Sequence, residues 1–225
     1  MTTRDPRRAV EAVWRIEAPR LIAGLARMVR DVGLAEDLAQ DALVAALQQW
    51  PESGVPDNPA AWLMAVGKRR AIDHFRRTAV AARKEGELAQ ELTAREETMS
   101  GDGDREDDLL RLVFVACHPV LSADARVALT LRLLGGLTTE EIARAFLVPE
   151  TTLAQRIVRA KRTLAEARVR FEVPDPHDLA DRLSSVLEVI YLIFNEGYSA
   201  TAGDDWVRPA LCEDALRLGR ILAGL

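Results

Sequence analysis

The chain has 225 residues, 48% of them hydrophobic, enough for one sizeable core or two smaller ones. Its 13 Gly and 10 Pro exclude a collagen-like or globally disordered chain, and no run of eighteen apolar residues exists to span a bilayer. The formal charge of −5 conceals a pattern. Residues 85–108 hold ten acids against Arg95 and Arg105, leaving 25 acids and 28 bases elsewhere, a net of +3.

The bases cluster too. Lys68, Arg69, Arg70, Arg76, Arg77, Arg83 and Lys84 stand against Asp73 alone, and Arg156, Arg159, Lys161, Arg162, Arg168 and Arg170 against Glu166 alone. Two basic helices separated by an acidic linker fit two contacts with a polyanion, although two solvated helix faces would carry the same charges. Aromatic residues are few, whereas Ala, Leu, Arg and Glu are plentiful, which favours helices over sheets. The N-terminus MTTRDPRRAVEAVW has no apolar run behind its charges, so it does not read as a signal peptide. Cys117 and Cys212 cannot build a disulfide framework, and a reducing cytoplasm is the expected compartment.

In chain order, the first part (residues 1–84) reads as helices. Val10, Val13, Trp14, Leu21, Ile22, Leu25, Met28 and Val29 recur at helical spacing, with a break expected at Pro19. A second helix is expected from Leu34 to Trp50, stopping before Pro51. Asn58-Pro59 then offers an N-cap and a first-turn proline for a third helix, running through Arg77. Residues 85–108 read as a flexible acidic linker.

The next part (109–174) opens with LLRLVFVAC, stopped by Pro119. Ser122 caps a helix that ends at Gly135-Gly136, and Thr138 with Glu141 forms a capping box for a short helix through Phe146. After the turn Val148-Pro149-Glu150, a basic helix is expected to run to Phe171. Its Leu153, Ile157, Ala160 and Leu164 face inward, while Thr151, Thr152, Gln155, Arg156, Arg159 and Arg162 face out. That distribution suits a helix-turn-helix: N-terminal polar residues reach base edges and flanking cations grip phosphates. Arg156 is suited to guanine and Gln155 to adenine. A plain helical hairpin with a polar face is the alternative.

The last part (175–225) holds two apolar helices around Asn195-Glu196-Gly197, with Gly197 expected to end the first in a left-handed conformation. Enzymatic readings find little support. His74, His118 and His177 are scattered, Cys117-His118 lacks zinc-ligand spacing, and glycine-rich phosphate loops are missing. Glu196 and Tyr198 fit helix-terminating packing better than a site. No catalytic residue, metal or cofactor is expected.

Two segments in order carry a resemblance. GLAEDLAQDALVAALQQW followed by NPAAWLMAVGKRRAIDHFRR resembles the domain of extracytoplasmic-function sigma factors that binds core RNA polymerase and the −10 element. LSADARVALTLRLLGGLTTEEIARAFLVPETTLAQRIVRAKRTL resembles their −35 domain. The resemblance covers roughly residues 7 to 172. It implies an all-α chain with two helical domains, the second containing the helix-turn-helix. It also implies transcription initiation as the function, with promoter DNA and core polymerase as partners.

Carried onto this sequence, Asp37, Leu38, Gln40, Asp41, Val44 and Gln48 would meet the clamp of the polymerase's largest subunit. Asn58, Lys68, Arg69, Arg70, Asp73, Arg76 and Arg77 would take the opened −10 strand, with the loop Val55–Asn58 as the base pocket and Trp62 as core. Thr138, Thr139, Thr151, Thr152, Gln155, Arg156, Arg159, Lys161 and Arg162 would take the −35 duplex. Departures at Arg69 (often Asn), Thr151 (often Gly) and Ala154 (often basic) bear on promoter sequence rather than on the domains.

Residues 178–225 resemble the start of a tetratricopeptide-like C-terminal extension. A stacked array needs about three repeats, so the natural chain is expected to continue beyond Leu225. The extension is expected to pack on the sigma domains and tune polymerase binding in place of a separate anti-sigma partner. The competing readings are a stand-alone helix-turn-helix regulator of duplex DNA and a helical adaptor that binds only proteins.

Overall fold

Every regular element among the described residues of the computed structural model (6–82, 103–198 and 209–224) is helical. They are α1 (Pro6–Val29), α2 (Val32–Ser53), α3 (Pro59–Ala82), α4 (Gly103–Ala116), α5 (Ala123–Leu133), α6 (Thr139–Ala145), α7 (Glu150–Glu166), α8 (Leu179–Tyr198) and α9 (Pro209–Leu222). The chain divides into two compact units, Met1–Asp108 and Leu109–Leu225. None of the described helices is long and apolar enough to cross a membrane.

The first unit is built on small residues that let helices approach. Ala18, Leu21, Ile22, Leu25 and Ala26 of α1 are buried with Ala35, Leu38, Ala39, Ala42, Ala46 and Trp50 of α2 and Leu63 and Ala71 of α3. Two glycines seat their neighbours: a Cβ on Gly24 would meet Met64 Cε at 2.7 Å, and one on Gly67 would meet Leu25 Cδ1 at 3.0 Å. Each buried Leu or Ile contributes roughly 1.5–3 kcal/mol.

That burial explains where these helices depart from expectation. No break occurs at Pro19, which sits inside α1. A proline there costs about 3 kcal/mol, offset by the buried residues on both sides of it. α2 starts earlier than Leu34, because Asp31 caps it by accepting from Leu34 N at 2.9 Å. It also continues past Pro51 to Ser53, whose hydroxyl donates to Gln49 O at 2.9 Å. Asn58 Oδ1 accepts from Ala61 N at 3.0 Å, the cap that the sequence suggests, and α3 runs beyond Arg77 to Ala82. Arg83, Lys84 and the acidic stretch through Asp102 lie outside the described residues. From Gly103 the chain is helical, so the last six residues of the supposed linker belong to α4.

The second unit surrounds two helices with little polar face. Leu110 and every residue from Leu112 to Cys117 are buried, as is all of Ala125–Leu131, and such helices belong at a core's centre. Ser122 caps α5 through Ala125 N, and Cys117 Sγ lies 3.4 Å from Thr130 Oγ1. α7 stops at Glu166 rather than Phe171. Arg168 takes a φ of 51°, and Val169 N donates to Leu164 O at 3.1 Å while Arg168 N donates to Ala165 O at 3.0 Å. This is a Schellman ending with arginine in the left-handed position that usually favours glycine.

Residues after 175 share this unit. Arg182 Nη2 donates to Phe114 O at 2.7 Å, Arg126 pairs with Glu188 at 2.8 Å, and Arg217 donates to Leu134 O. Gly197 does not end α8 in a left-handed turn. It is buried within the helix, where a Cβ would lie 2.8 Å from the backbone nitrogen of Cys212 in α9. The glycine is required by close approach of two helices, a need that a local sequence signal does not distinguish from a turn.

Candidate nucleic-acid interface

α6 and α7 form the helix-turn-helix. The capping box at the entrance to α6 is complete: Thr138 N donates to Glu141 Oε2 at 2.8 Å and Glu141 N donates to Thr138 Oγ1 at 3.1 Å. The connecting turn is a second Schellman ending. Leu147 has φ 51°, Val148 N donates to Ala143 O at 3.0 Å, and Pro149 leads directly into α7. The turn therefore sets the start of α7 through backbone bonds, and Ile142, Ala143, Leu153, Ile157, Ala160 and Leu164 are buried beneath it.

The outer face of α7 shows Thr151, Thr152, Gln155, Arg159 and Arg162 exposed, with Arg156 and Lys161 half-buried. Thr138 is exposed and Thr139 half-buried beside it. Thr152, Gln155, Arg156, Arg159 and Thr163 line one groove together with Ser122 at the start of α5. Arg162 Nε donates to Glu166 at 2.6 Å, a bond that raises the guanidinium's already high pKa. Arg156 Nη2 lies 3.4 Å from Asp124 Oδ2 on α5. Sequence reading did not single out Asp124, whose signal was only that of an acid in a helix's first turn.

In the first unit, α3 exposes Arg69, Arg70, Arg76 and Arg77, with Lys68 and Asp73 half-buried. Lys68, Arg69, Asp73 and Arg76 line a shallow concavity with Ala65 and Ile72. Arg77 Nε donates to Asp73 O at 3.2 Å. Asn58 is exposed but spends its side-chain oxygen on the cap of α3, and Val55 of the preceding loop is 42% exposed. Trp62 is half-buried edge-on to the buried Trp50, their ring centroids 5.2 Å apart, as a core residue would be.

On α2, Asp37, Asp41, Val44 and Gln48 are exposed and Gln40 is half-buried. Leu38, expected on the same surface, is only 4% exposed. It aligns with Ala35 and Ala42 on the core-facing side, so it supports this surface from beneath and offers no contact area. Among the described residues, no three His, Cys, Asp or Glu side chains converge to hold a metal ion.

Comparison with known proteins places three segments. Residues 14–80 match Sigma-70 region 2, residues 111–164 match Sigma-70 region 4, and residues 182–225 match a family of unknown function (DUF6596). An uncharacterized protein of Rhizobium meliloti, R00370, is 45% identical over 211 residues, covering 92% of this chain and 50% of the relative. The probable ECF RNA polymerase sigma factor SigI of Mycobacterium tuberculosis is 30% identical over 186 residues, 81% of this chain and 62% of that protein. The ECF RNA polymerase sigma factor SigC of the same species is 29% identical over 162 residues, 68% and 75% of the respective chains. The chain thus spans about half the length of the first relative and under two thirds of the second. No solved structure matches. The tetratricopeptide-like character expected of the extension finds no counterpart in these matches.

Proposed function

We propose that this chain, carrying sigma-70 regions 2 and 4 in the order of the extracytoplasmic-function sigma factors it resembles, works as a sigma factor in the cytoplasm. The observation that carries the reading is the ordered pair of region matches, each falling on a helical surface with the charge its task requires. The protein binds core RNA polymerase and directs it to −10 and −35 elements. It then assists opening of the duplex. It is a specificity subunit with no reaction of its own and needs no cofactor.

Three surfaces divide the work. On α2, Asp37, Asp41, Val44 and Gln48 form an acidic face with an apolar centre, suited to a basic helical partner on the polymerase clamp. Along α3, Arg69, Arg70, Arg76 and Arg77 neutralise the phosphates of an opened strand, and the loop before it receives an unstacked base. On α7, Thr151, Thr152, Gln155 and Arg156 read the −35 major groove while Arg159, Lys161 and Arg162 hold the backbone. The extension acts within the second unit, where its Arg182 and Arg217 bond to the backbone of α4 and the end of α5.

The division of roles is tested with reconstituted holoenzyme on a promoter library. Arg156→Ala relaxes preference at one −35 position by about 5- to 100-fold, whereas Arg76→Ala weakens binding across all sequences and lowers its salt dependence. Identical profiles for the two variants would overturn the assignment. A chain that bound duplex DNA alone and never bound core polymerase would instead be a stand-alone regulator.

A further inference from the structure

We infer that Asp124, an acid on α5 outside the recognition helix, sets the sequence specificity of α7 by holding the guanidinium of Arg156. The inference rests on the reading of Arg156 as a base-contacting residue. It adds a positioning residue to that site.

The cations of α7 are not held alike. Arg162 is tied to Glu166 one turn along its own helix, and its side chain is 77% exposed. Arg156 is 28% exposed and its partner comes from a different helix, with Nη2 3.4 Å from Asp124 Oδ2. An arginine free in solvent samples many rotamers and can drop onto whichever phosphate is near, so fixing it toward one base costs entropy at the moment of binding. A carboxylate on a neighbouring element meets that cost before DNA arrives. The contact engages one end of the guanidinium fork, and bidentate recognition of guanine uses two parallel N–H bonds directed elsewhere.

The position of Asp124 suits the task. It lies in the first turn of α5, behind the Ser122 cap. Its own side chain is 73% exposed, so it sits at the rim of the recognition surface rather than in the core. Arg156 lines the groove beside Gln155 and Arg159, and also a cleft floored by Val127, Ile142 and Leu153 and bordered by Asp124. The apolar stem of Arg156 is thereby braced against packed side chains while the acid directs its head. An exposed acid beside DNA also repels phosphate, which lowers affinity for every sequence and penalises the phosphate-bound alternative of Arg156.

The test compares wild type, Asp124→Ala, Asp124→Asn, Arg156→Ala and the double variant Asp124→Ala/Arg156→Ala. Each is loaded on core polymerase and selected against a −35 library, with a duplex lacking promoter elements as the non-specific probe. Asp124→Ala is expected to lose about fivefold or more of the preference at the Arg156 position, while binding to the non-specific duplex holds or rises. Asp124→Asn, which keeps the size and a hydrogen-bonding oxygen, is expected to retain an intermediate preference. The double variant should match Arg156→Ala in its preference at that position, whatever its affinity for the non-specific duplex.

An unchanged preference profile in Asp124→Ala, with affinity raised equally for all sequences, would overturn the inference, because the acid would then act by repulsion alone. Further loss at other positions in the double variant would overturn it as well. A wild-type holoenzyme with no −35 preference at all would remove the reading of α7 first, and this inference with it.

Discussion

The close approach of α8 and α9 makes a quantitative prediction about Gly197. An added Cβ would lie 2.8 Å from both the backbone nitrogen and Sγ of Cys212, and 3.0 Å from Leu211 Cβ. Carbon contacts are comfortable at about 3.5–4.0 Å. The thiol can rotate away, but the backbone nitrogen moves only if α9 moves. Such overpacking costs about 1–3 kcal/mol, against a gain of about 1 kcal/mol when alanine replaces a helical glycine. Gly219, in α9 with nothing within 4 Å of its added Cβ, isolates that gain. Gly197→Ala should therefore be less stable than Gly219→Ala by roughly 1–3 kcal/mol. Hydrogen exchange resolved to α8 and α9 is the suitable assay, because two units need not unfold together. Amides of these helices should exchange about 5- to 100-fold faster in Gly197→Ala than in Gly219→Ala. Equal protection in the two variants would refute the close packing of α8 on α9.

Three further expectations concern the second unit. Thr138→Ala removes half of the capping box and should cost about 0.5–2 kcal/mol, read as a lower urea midpoint for the unit's transition. Burial, reinforced by the Arg182 charge, pushes the His118 imidazole down to about 4, and its Nδ1 accepts from Val120 N at 3.1 Å. Between pH 6.5 and 4 the unfolded chain binds the proton and the folded chain does not. The His118 contribution is therefore present above pH 6.5 and is lost as pH falls towards 4; His118→Gln should flatten that part of the stability–pH curve. Burial pushes the Cys117 thiol up to about 11. A thiol reagent at pH 8 should therefore label the half-buried Cys212 first and reach Cys117 only on unfolding.

Capping and periodicity were legible because each depends on neighbours within one turn. Ser122, Thr138 with Glu141, and Asn58 all cap as their sequence context suggests, and the inward stripe Leu153, Ile157, Ala160 and Leu164 is buried. What escaped depends on partners far along the chain. Pro19 remains inside α1 because surrounding core burial outweighs its helix-breaking tendency. Leu38 belongs beneath its surface, a distinction that helical spacing near a boundary leaves open. Gly197 looked like a local terminator but is a seat for α9.

The site shows the same division. The outward face of α7 could be read from helical periodicity alone, whereas the pairing of Arg156 with Asp124 joins two helices and leaves no periodic trace. Arg126, Arg182 and Arg217, which tie the extension to the rest of the second unit, were not singled out in the sequence. Each has a partner far along the chain: Glu188 for Arg126, the Phe114 carbonyl for Arg182 and the Leu134 carbonyl for Arg217.

The proposed sigma-factor activity is best tested by run-off transcription with sigma-free core polymerase on a random promoter library, with core binding measured in the same tubes. Initiation that depends on the protein is expected from templates sharing a −35 and a −10 element at fixed spacing. Absence of both initiation and core binding, with duplex binding retained, would contradict the proposed activity.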